Sequence, residues 1–193
     1  MSDSRPDLVI YGSPVSPFVR KVAGVCIAKG VPYEVEAINV FDPPQWFREI
    51  SPMKRIPVLR DRSVGEEGIT GTIPDSSAIC AYIEKKHPEP ALYPAAAFDH
   101  ARALFWEEYA DTALAMAGGL GIFRPVFFAV TKGEAPDMDK AREAWADQLP
   151  PIFVLFSLNP EQESLMNGIQ VIHRVVRLYP HPLQLQQVPI ICL

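Results

Sequence analysis

Apolar residues fall at three different spacings along this chain, and each change of spacing marks an element. Leu8-Val9-Ile10-Tyr11 is an unbroken apolar run of strand length that stops at Gly12, which predicts a short buried strand. After it, Phe18, Val22 and Cys26 recur every fourth residue, flanked by Val19, Ala23 and Ile27. That period predicts an amphipathic helix with Arg20, Lys21 and Lys29 outside. Ser16 suits its N-cap, Pro17 its first helical position and Gly30 its C′ end. Tyr33, Val35 and Ala37 then alternate with Glu34 and Glu36, the pattern of a strand with one wet face. Strand, helix and strand make a βαβ unit whose outer strands should be parallel.

Asp42-Pro43-Pro44 reads as a turn leading into a short helical piece with Trp46 and Phe47. Ile56-Pro57 opens a strand through Leu59, the place where a sheet tolerates proline. A polar turn from Asp61 to Gly68 and a partner strand from Ile69 to Ile73, weakened by Gly71, complete a hairpin. Pro74-Asp75-Ser76-Ser77 starts another helix, with Ile79, Ala81, Tyr82 and Ile83 inside and Glu84, Lys85 and Lys86 outside, ending before Pro88. The order β-α-β-α-β-β-α predicts an α/β layer domain over residues 7–87, followed by a proline-rich connector at 88–98. Beyond it no strand pattern is visible, so residues 99–193 are read as all-helical. Ala101, Leu104, Phe105, Tyr109, Ala113 and Leu114 form one helical face, interrupted at Gly118-Gly119. Leu120–Val130 is aromatic and carries Pro125, expected to kink it or begin a new turn. Met138–Leu149 places Ala141, Ala144, Trp145 and Leu149 on one face.

Composition narrows the function classes. The chain has 193 residues, 48% hydrophobic and 21% charged, with a net charge of −5. That suits a globular protein and gives no reason to expect nucleic acid as a partner. Cys26, Cys80 and Cys192 form no CxxC, which argues against a disulfide framework and a zinc site and suits a reducing compartment. Cys26 and Cys80 read as small core hydrophobes. The four histidines lack ligand spacing, so no metal is expected. The first seven residues lack a signal-peptide core, and no run reaches the roughly 18 apolar residues of a membrane span. The expectation is cytoplasmic, with no membrane partner.

The candidate chemistry begins at Ser16, a hydroxyl at the positive end of a helix just beyond a strand, where an anion can be held. The same residue could simply cap its helix, and Ser13 is a second hydroxyl three residues earlier. Asp75 and Ser76 likewise stand at a helix start and fit either capping or ligand binding.

Three motifs stand in order: Ser-Pro-Phe-Val-Arg-Lys-Val at 16–22, Arg-Ile-Pro-Val-Leu at 55–59 and Asp-Ser-Ser-Ala-Ile at 75–79. With these motifs the stretch over roughly 7–152 resembles the cytosolic glutathione S-transferases of the serine type, with a thioredoxin-like N-terminal domain and an all-helical C-terminal domain. The resemblance implies that Ser16, with Phe18 beside it, lines the glutathione site and holds the thiolate; cysteine-type members carry cysteine at that position. A free thiol titrates near 8.5, so ionising it at neutral pH takes a lowering of about two pH units, or about 2.7 kcal/mol. One hydroxyl hydrogen bond and a helix N-terminus are of that size.

By the same resemblance, Ile56 before Pro57 pairs its backbone with the cysteinyl part of glutathione. Asp75 holds the γ-glutamyl ammonium, and Ser76 its carboxylate. Arg55 stands near the glycyl end, and Phe123 and Phe127 line the electrophile pocket. Core or interface packing is the alternative for those two phenylalanines, as for Trp46, Trp106 and Trp145. The implied activity is conjugation of the glutathione thiolate to small hydrophobic electrophiles by a homodimer. The alternatives are a glutathione-dependent isomerase or dehalogenase, and a non-catalytic glutathione-fold binding module.

From about residue 154 the resemblance stops. Asn159-Pro160-Glu161-Gln162 opens a helical pattern with Leu165, Ile169, Ile172 and Val176, and the chain ends apolar at Val188–Leu193. A truncated, alternatively spliced or frame-shifted C-terminus is the expectation, with activity and dimerisation both affected by it.

Overall fold

The computed structural model describes residues 5–157; the helical pattern read from Asn159 onward, the apolar end and Cys192 lie outside them. The described residues divide into two compact units, one ending at Tyr93 and one beginning at Pro94.

The first unit runs β1 (Leu8–Tyr11), α1 (Pro17–Ala28), β2 (Tyr33–Glu36), α2 (Gln45–Ile50), β3 (Val58–Asp61), β4 (Thr72–Pro74) and α3 (Ser76–Lys86). This is the order that the hydrophobic spacing predicts. The strands form one mixed sheet in the order β2-β1-β3-β4, with β1 parallel to β2 and antiparallel to β3. Both faces of the sheet are covered, which is why β1 is apolar at every position. Leu8 and Ile10 point to one side and pack with Val19, Val22 and Cys26 of α1, Leu59, and Ile79, Cys80 and Ile83 of α3. Val9 and Tyr11 point to the other side, against Ile38, Val58, and Phe47 and Ile50 of α2. Burying each such side chain contributes about 1.5–3 kcal/mol.

The structure departs from the sequence reading mainly where polar groups are buried. Lys29 was expected outside; its side chain is wholly buried, 2.6 Å from the Glu84 carboxylate. Its ammonium also donates to the His87 carbonyl at 2.7 Å and the Pro90 carbonyl at 2.8 Å. A buried ammonium is tolerated only with partners of this kind, and here it sits at the C-terminal ends of two helices, where a cation is favoured. Glu84 is therefore turned inward, whereas Ala81, expected inside, is exposed.

Asp61 belongs to β3 rather than to the turn, and is 1% exposed. Its carboxylate accepts from the Ser63 hydroxyl at 2.5 Å, from the Tyr82 hydroxyl at 2.6 Å, and from the Lys86 ammonium. Lys86 is thus drawn to the core edge. Arg60, 4% exposed, donates to Tyr11 Oη and to the carbonyls of Gly65, Gly68 and Thr70, and so shapes the following loop from inside. That loop displaces the last strand. Gly71 has φ +73°, and a Cβ there would lie 2.6 Å from the Gly65 carbonyl. The strand accordingly begins at Thr72, and Ile69 is exposed. On the far edge of the sheet, Val35 of β2 is also exposed.

In the second unit a helix runs from Ala97 to Thr131, 35 residues, through Gly118-Gly119 and past Pro125. The expected interruption is absent because the helix widens to π geometry at Ala110–Leu114 and Gly119–Phe128. A wider turn accommodates a proline ring that would clash in a regular α-helix. By length and composition alone this helix is apolar enough to cross a membrane. The sequence reading, which found no run of roughly 18 apolar residues, expected no such helix. A second helix covers 138–157 and packs at Gly121, where a Cβ would lie 2.4 Å from that of Ala144. Its π turn at Ala144–Gln148 shifts the phase of the buried face. Ala144 and Leu149 point inward, while Trp145, expected beside them, is 53% exposed.

Burial pushes the Asp61 carboxyl up, but the bonds from Lys86, Ser63 and Tyr82 outweigh it and hold the group at about 2, against an ordinary 3.8. A depressed carboxyl stabilises the fold above its unfolded pKa, here by about 2 kcal/mol, and loses that contribution as pH falls from about 4 through about 2. Urea unfolding of the wild type between pH 6 and 2 should show this loss, and Asp61→Asn should be less stable at pH 6 with a flatter acid limb. Parallel pH profiles for the two proteins would contradict the assignment.

Candidate functional site

Strand register brings three separate stretches to one edge of the sheet. Tyr11, at the end of β1, pairs with Val58, at the start of β3. Val58 pairs in turn with Pro74, at the end of β4. Gly12–Ser16, Ile56–Pro57 and Asp75–Ser76 are the residues that continue from these three strand ends. Both α1 and α3 begin there too, so two helix N-termini face one edge.

The first stretch is held close. Gly12 donates to the Glu36 carbonyl at 2.9 Å. A Cβ on it would lie 2.5 Å from Val19 Cγ2 and 3.3 Å from Ile56 Cβ, so only glycine lets the turn lie against α1 and Ile56. Ser16 N bonds the Ser13 carbonyl at 2.9 Å, closing a turn that sets Ser16 as the N-cap of α1. Its hydroxyl accepts the Val19 N–H at a long 3.5 Å. An oxygen that accepts in this way keeps its own proton to donate. Ser13 Oγ accepts from Val15 N at 3.4 Å. Ser16 and Phe18 are half-buried.

The second stretch carries the Ile56–Pro57 peptide, which is cis. Pro57 is buried, and the ladder begins only at Val58, so the peptide groups of Ile56 stand just outside the registered pairs. Buried Ser51 fixes the preceding turn: its hydroxyl donates to the Arg55 carbonyl at 2.9 Å and accepts from Arg55 N at 3.1 Å. Arg55 is thereby anchored by its backbone with its side chain exposed. The sequence marked Gly12 only as the end of a strand and gave Ser51 no role. The only signals available were a glycine ending a strand and a serine four residues before Arg55.

The third stretch starts with Asp75 at φ +84°, a conformation that non-glycine residues seldom adopt. One oxygen, Oδ1, accepts from Ser77 N at 3.0 Å and Ala78 N at 3.1 Å. Asp75 therefore caps α3 while its residue as a whole stays exposed; Ser76, next to it, is 5% exposed. The edge thus offers a hydroxyl, strand-end peptide groups, a carboxylate and helix N–H groups. That set matches a ligand carrying anionic, amide and ammonium groups in one extended chain.

Phe123 and Phe127 belong to the second unit, stacked at 4.7 Å with Phe128 edge-on to Phe123 at 5.4 Å. Trp46 rests edge-on against Tyr11 at 5.0 Å, part of the packing around α2. Cys26 and Cys80 are buried, and burial pushes the Cys26 thiol up to about 12, the state of an inert core thiol. Glu107, Glu108 and Asp111 bring carboxylate oxygens within 4.8 Å of one another, a group that spacing on the sequence did not mark.

A family model described as the glutathione S-transferase N-terminal domain matches residues 10–91. Over 77 residues the chain is 38% identical to glutathione S-transferase DHAR2 of Arabidopsis thaliana, covering 39% of this chain and 32% of that one. Over 93 residues it is 32% identical to glutathione S-transferase omega-1 of Mus musculus, covering 48% and 36% of the two chains. The chain spans about a third of the length of these curated relatives. Its fold is similar to the crystal structure of a glutathione S-transferase from Rhodospirillum rubrum F11, at a TM-score of 0.63 and 26% identity, covering 72% of this chain and 60% of that one. Residues 10–91 thus form a domain of the glutathione S-transferase N-terminal family, and the fold of the chain is similar to that of glutathione S-transferases.

Proposed function

We propose that this chain is a glutathione transferase in which Ser16 stabilises the thiolate that attacks a small hydrophobic electrophile. The observation that carries the reading is the convergence of the ends of β1, β3 and β4 on one edge, through the pairs Tyr11–Val58 and Val58–Pro74. Glutathione is an extended tripeptide with a thiol in the middle, and three spaced stretches along a sheet edge suit its three residues. The γ-glutamyl group goes to Asp75 and Ser76, the cysteinyl backbone to Ile56 beside Pro57, and the glycyl end toward Arg55. Ser16 and Phe18 flank the sulfur. A serine hydroxyl can donate to a thiolate and cannot form a mixed disulfide, which favours transfer to carbon over disulfide exchange.

The domain assignment belongs to the same proposal: a glutathione-binding domain at 7–87, a connector at 88–98 and a helical domain from 99 onward. So do homodimerisation and a cytoplasmic location, which rest on the family alone.

Calorimetry on the full chain is the test. Wild type should bind glutathione. Asp75→Ala should weaken binding at least tenfold, since a charged hydrogen bond contributes about 1.5–3 kcal/mol. Ser16→Ala should leave affinity within a few-fold and raise the pKa of the bound thiol by one to two pH units, read from thiolate absorbance. No binding by the folded wild type overturns the proposal, and binding without turnover of any activated aryl halide supports a binding module instead. For the electrophile, Phe123→Ala with Phe127→Ala should raise KM for the aryl halide several-fold and leave glutathione affinity unchanged; unchanged kinetics would remove both residues from that role.

A further inference from the structure

On the face of the sheet that α2 covers, a cavity of about 390 Å³ lies outside the three motifs. Strand register builds part of it: Glu36 pairs with Tyr11, and Arg60 pairs with Val9, which shares a face with Tyr11. Trp46 of α2 and Glu66 and Glu67 of the loop after β3 complete the lining.

The floor of this cavity holds a cation whose charge nothing answers. Arg60 is 4% exposed, and among the described residues no carboxylate lies within ion-pair distance of its guanidinium. Its Nε donates to Tyr11 Oη at 3.2 Å, its Nη1 to the carbonyls of Gly65 and Thr70, and its Nη2 to that of Gly68. A guanidinium has five N–H groups, so one on Nη2 is left over. Tyr11, 8% exposed, accepts from Arg60 and gives its own hydroxyl proton to no described residue. Carbonyls do not neutralise a guanidinium, and a buried charge without a counter-charge is costly. A carboxylate matches this floor, since it brings both the missing charge and acceptors for the two unused donors.

The rest of the lining asks for the opposite sign. Glu36, Glu66 and Glu67 are exposed and form no ion pair among the described residues, so a plain anion is repelled on entry. Trp46, 39% exposed, sits edge-on to Tyr11 with ring centroids 5.0 Å apart, and an indole is the best aromatic partner for a cation. Tyr11 thus touches both poles, the guanidinium through its hydroxyl and the indole through its ring. We propose that this cavity binds a small zwitterion, its carboxylate on Arg60 Nη2 and Tyr11 Oη and its quaternary ammonium beside Trp46, within the rim of Glu36, Glu66 and Glu67. The head is quaternary because the wall offers an aromatic ring and exposed charge but no buried carboxylate to accept from an N–H. The class of ligand is a trimethylammonium carboxylate with a short apolar spacer. This site does not depend on the glutathione reading.

The test titrates γ-butyrobetaine into the isotope-labelled full chain and follows the Trp46 indole N–H and the amides of Glu66, Glu67 and Gly68. Each of two controls lacks one pole: tetramethylammonium has no carboxylate, and 5,5-dimethylhexanoate carries carbon in place of the ammonium nitrogen. Expected are shifts at these groups along one saturable curve, with each control at least about tenfold weaker. Glu66→Gln combined with Glu67→Gln, both on an exposed loop, should weaken the zwitterion about three- to tenfold without weakening 5,5-dimethylhexanoate. Thermal melts check that this variant folds. No shift at these groups up to about 50 mM, or an affinity for either control equal to that for the zwitterion, overturns the inference. So does unchanged affinity in the folded double variant, and in that case Arg60 serves only to shape its loop.

Discussion

Everything at the candidate site depends on one pairing constraint: Val58 is hydrogen-bonded into the ladder between Tyr11 and Pro74. Because β3 runs antiparallel to both neighbours, its first residue must meet their last. The chain leaves β1 and β4 at the same edge as it enters β3, and the next helices start there. A one-residue slip would invert the faces of β1, exposing Leu8 and Ile10. The two apolar clusters on either side of the sheet are therefore what hold the polar edge in place. Gly12 adds a local condition, since a side chain there would push the first turn away from Ile56.

The opposite edge is built differently. Asp61 pairs across the sheet with Leu8, and it gathers Ser63, Tyr82 and Lys86 around one buried carboxylate. Lys29 ties the end of α1 to the end of α3 and to the carbonyl of Pro90. Anions and cations are matched there, at helix C-termini and under cover. At the other edge the helix N-termini meet long or exposed hydrogen bonds: Ser16 to Val19 at 3.5 Å, and Asp75 at the surface. The sheet thus separates a locked end from a receptive one. Such a division lets ligand groups replace weak local bonds without loosening the core.

Most of the first unit was legible in the sequence. Spacing and punctuation located β1, α1, β2, α2, the opening of β3 and α3, because Gly12, Ser16, Pro17, Gly30 and Asp75 each have a local reason to stand where they do. Lys29, Arg60 and Asp61 were not legible. Each is polar, and polar residues are assigned to the surface unless a distant partner is known; Glu84 lies 55 positions from Lys29, and Lys86 lies 25 from Asp61. The start of β4 was misplaced because Arg60 draws in the loop before it from within. In the second unit, a fixed 3.6 period failed at Trp145 and at Gly118-Gly119, since π turns alter the phase that periodicity assumes. Of the candidate site, Ser16, Phe18, Ile56, Pro57, Asp75 and Ser76 were readable from the motifs. Their arrival at one edge was not, since β1 and β3 pair residues 47 to 53 positions apart and such register leaves no local mark.

The central claim is that three stretches distant in sequence form one ligand site. Titrating glutathione into the isotope-labelled full chain and following backbone amide resonances addresses it directly. The account predicts that the amides of Gly12, Ser13, Val15, Ser16, Phe18, Ile56 and residues 76–78 shift together along a single binding curve. Shifts confined to one of these stretches, or clustered instead at the Asp61–Lys86 end of the sheet, would contradict it.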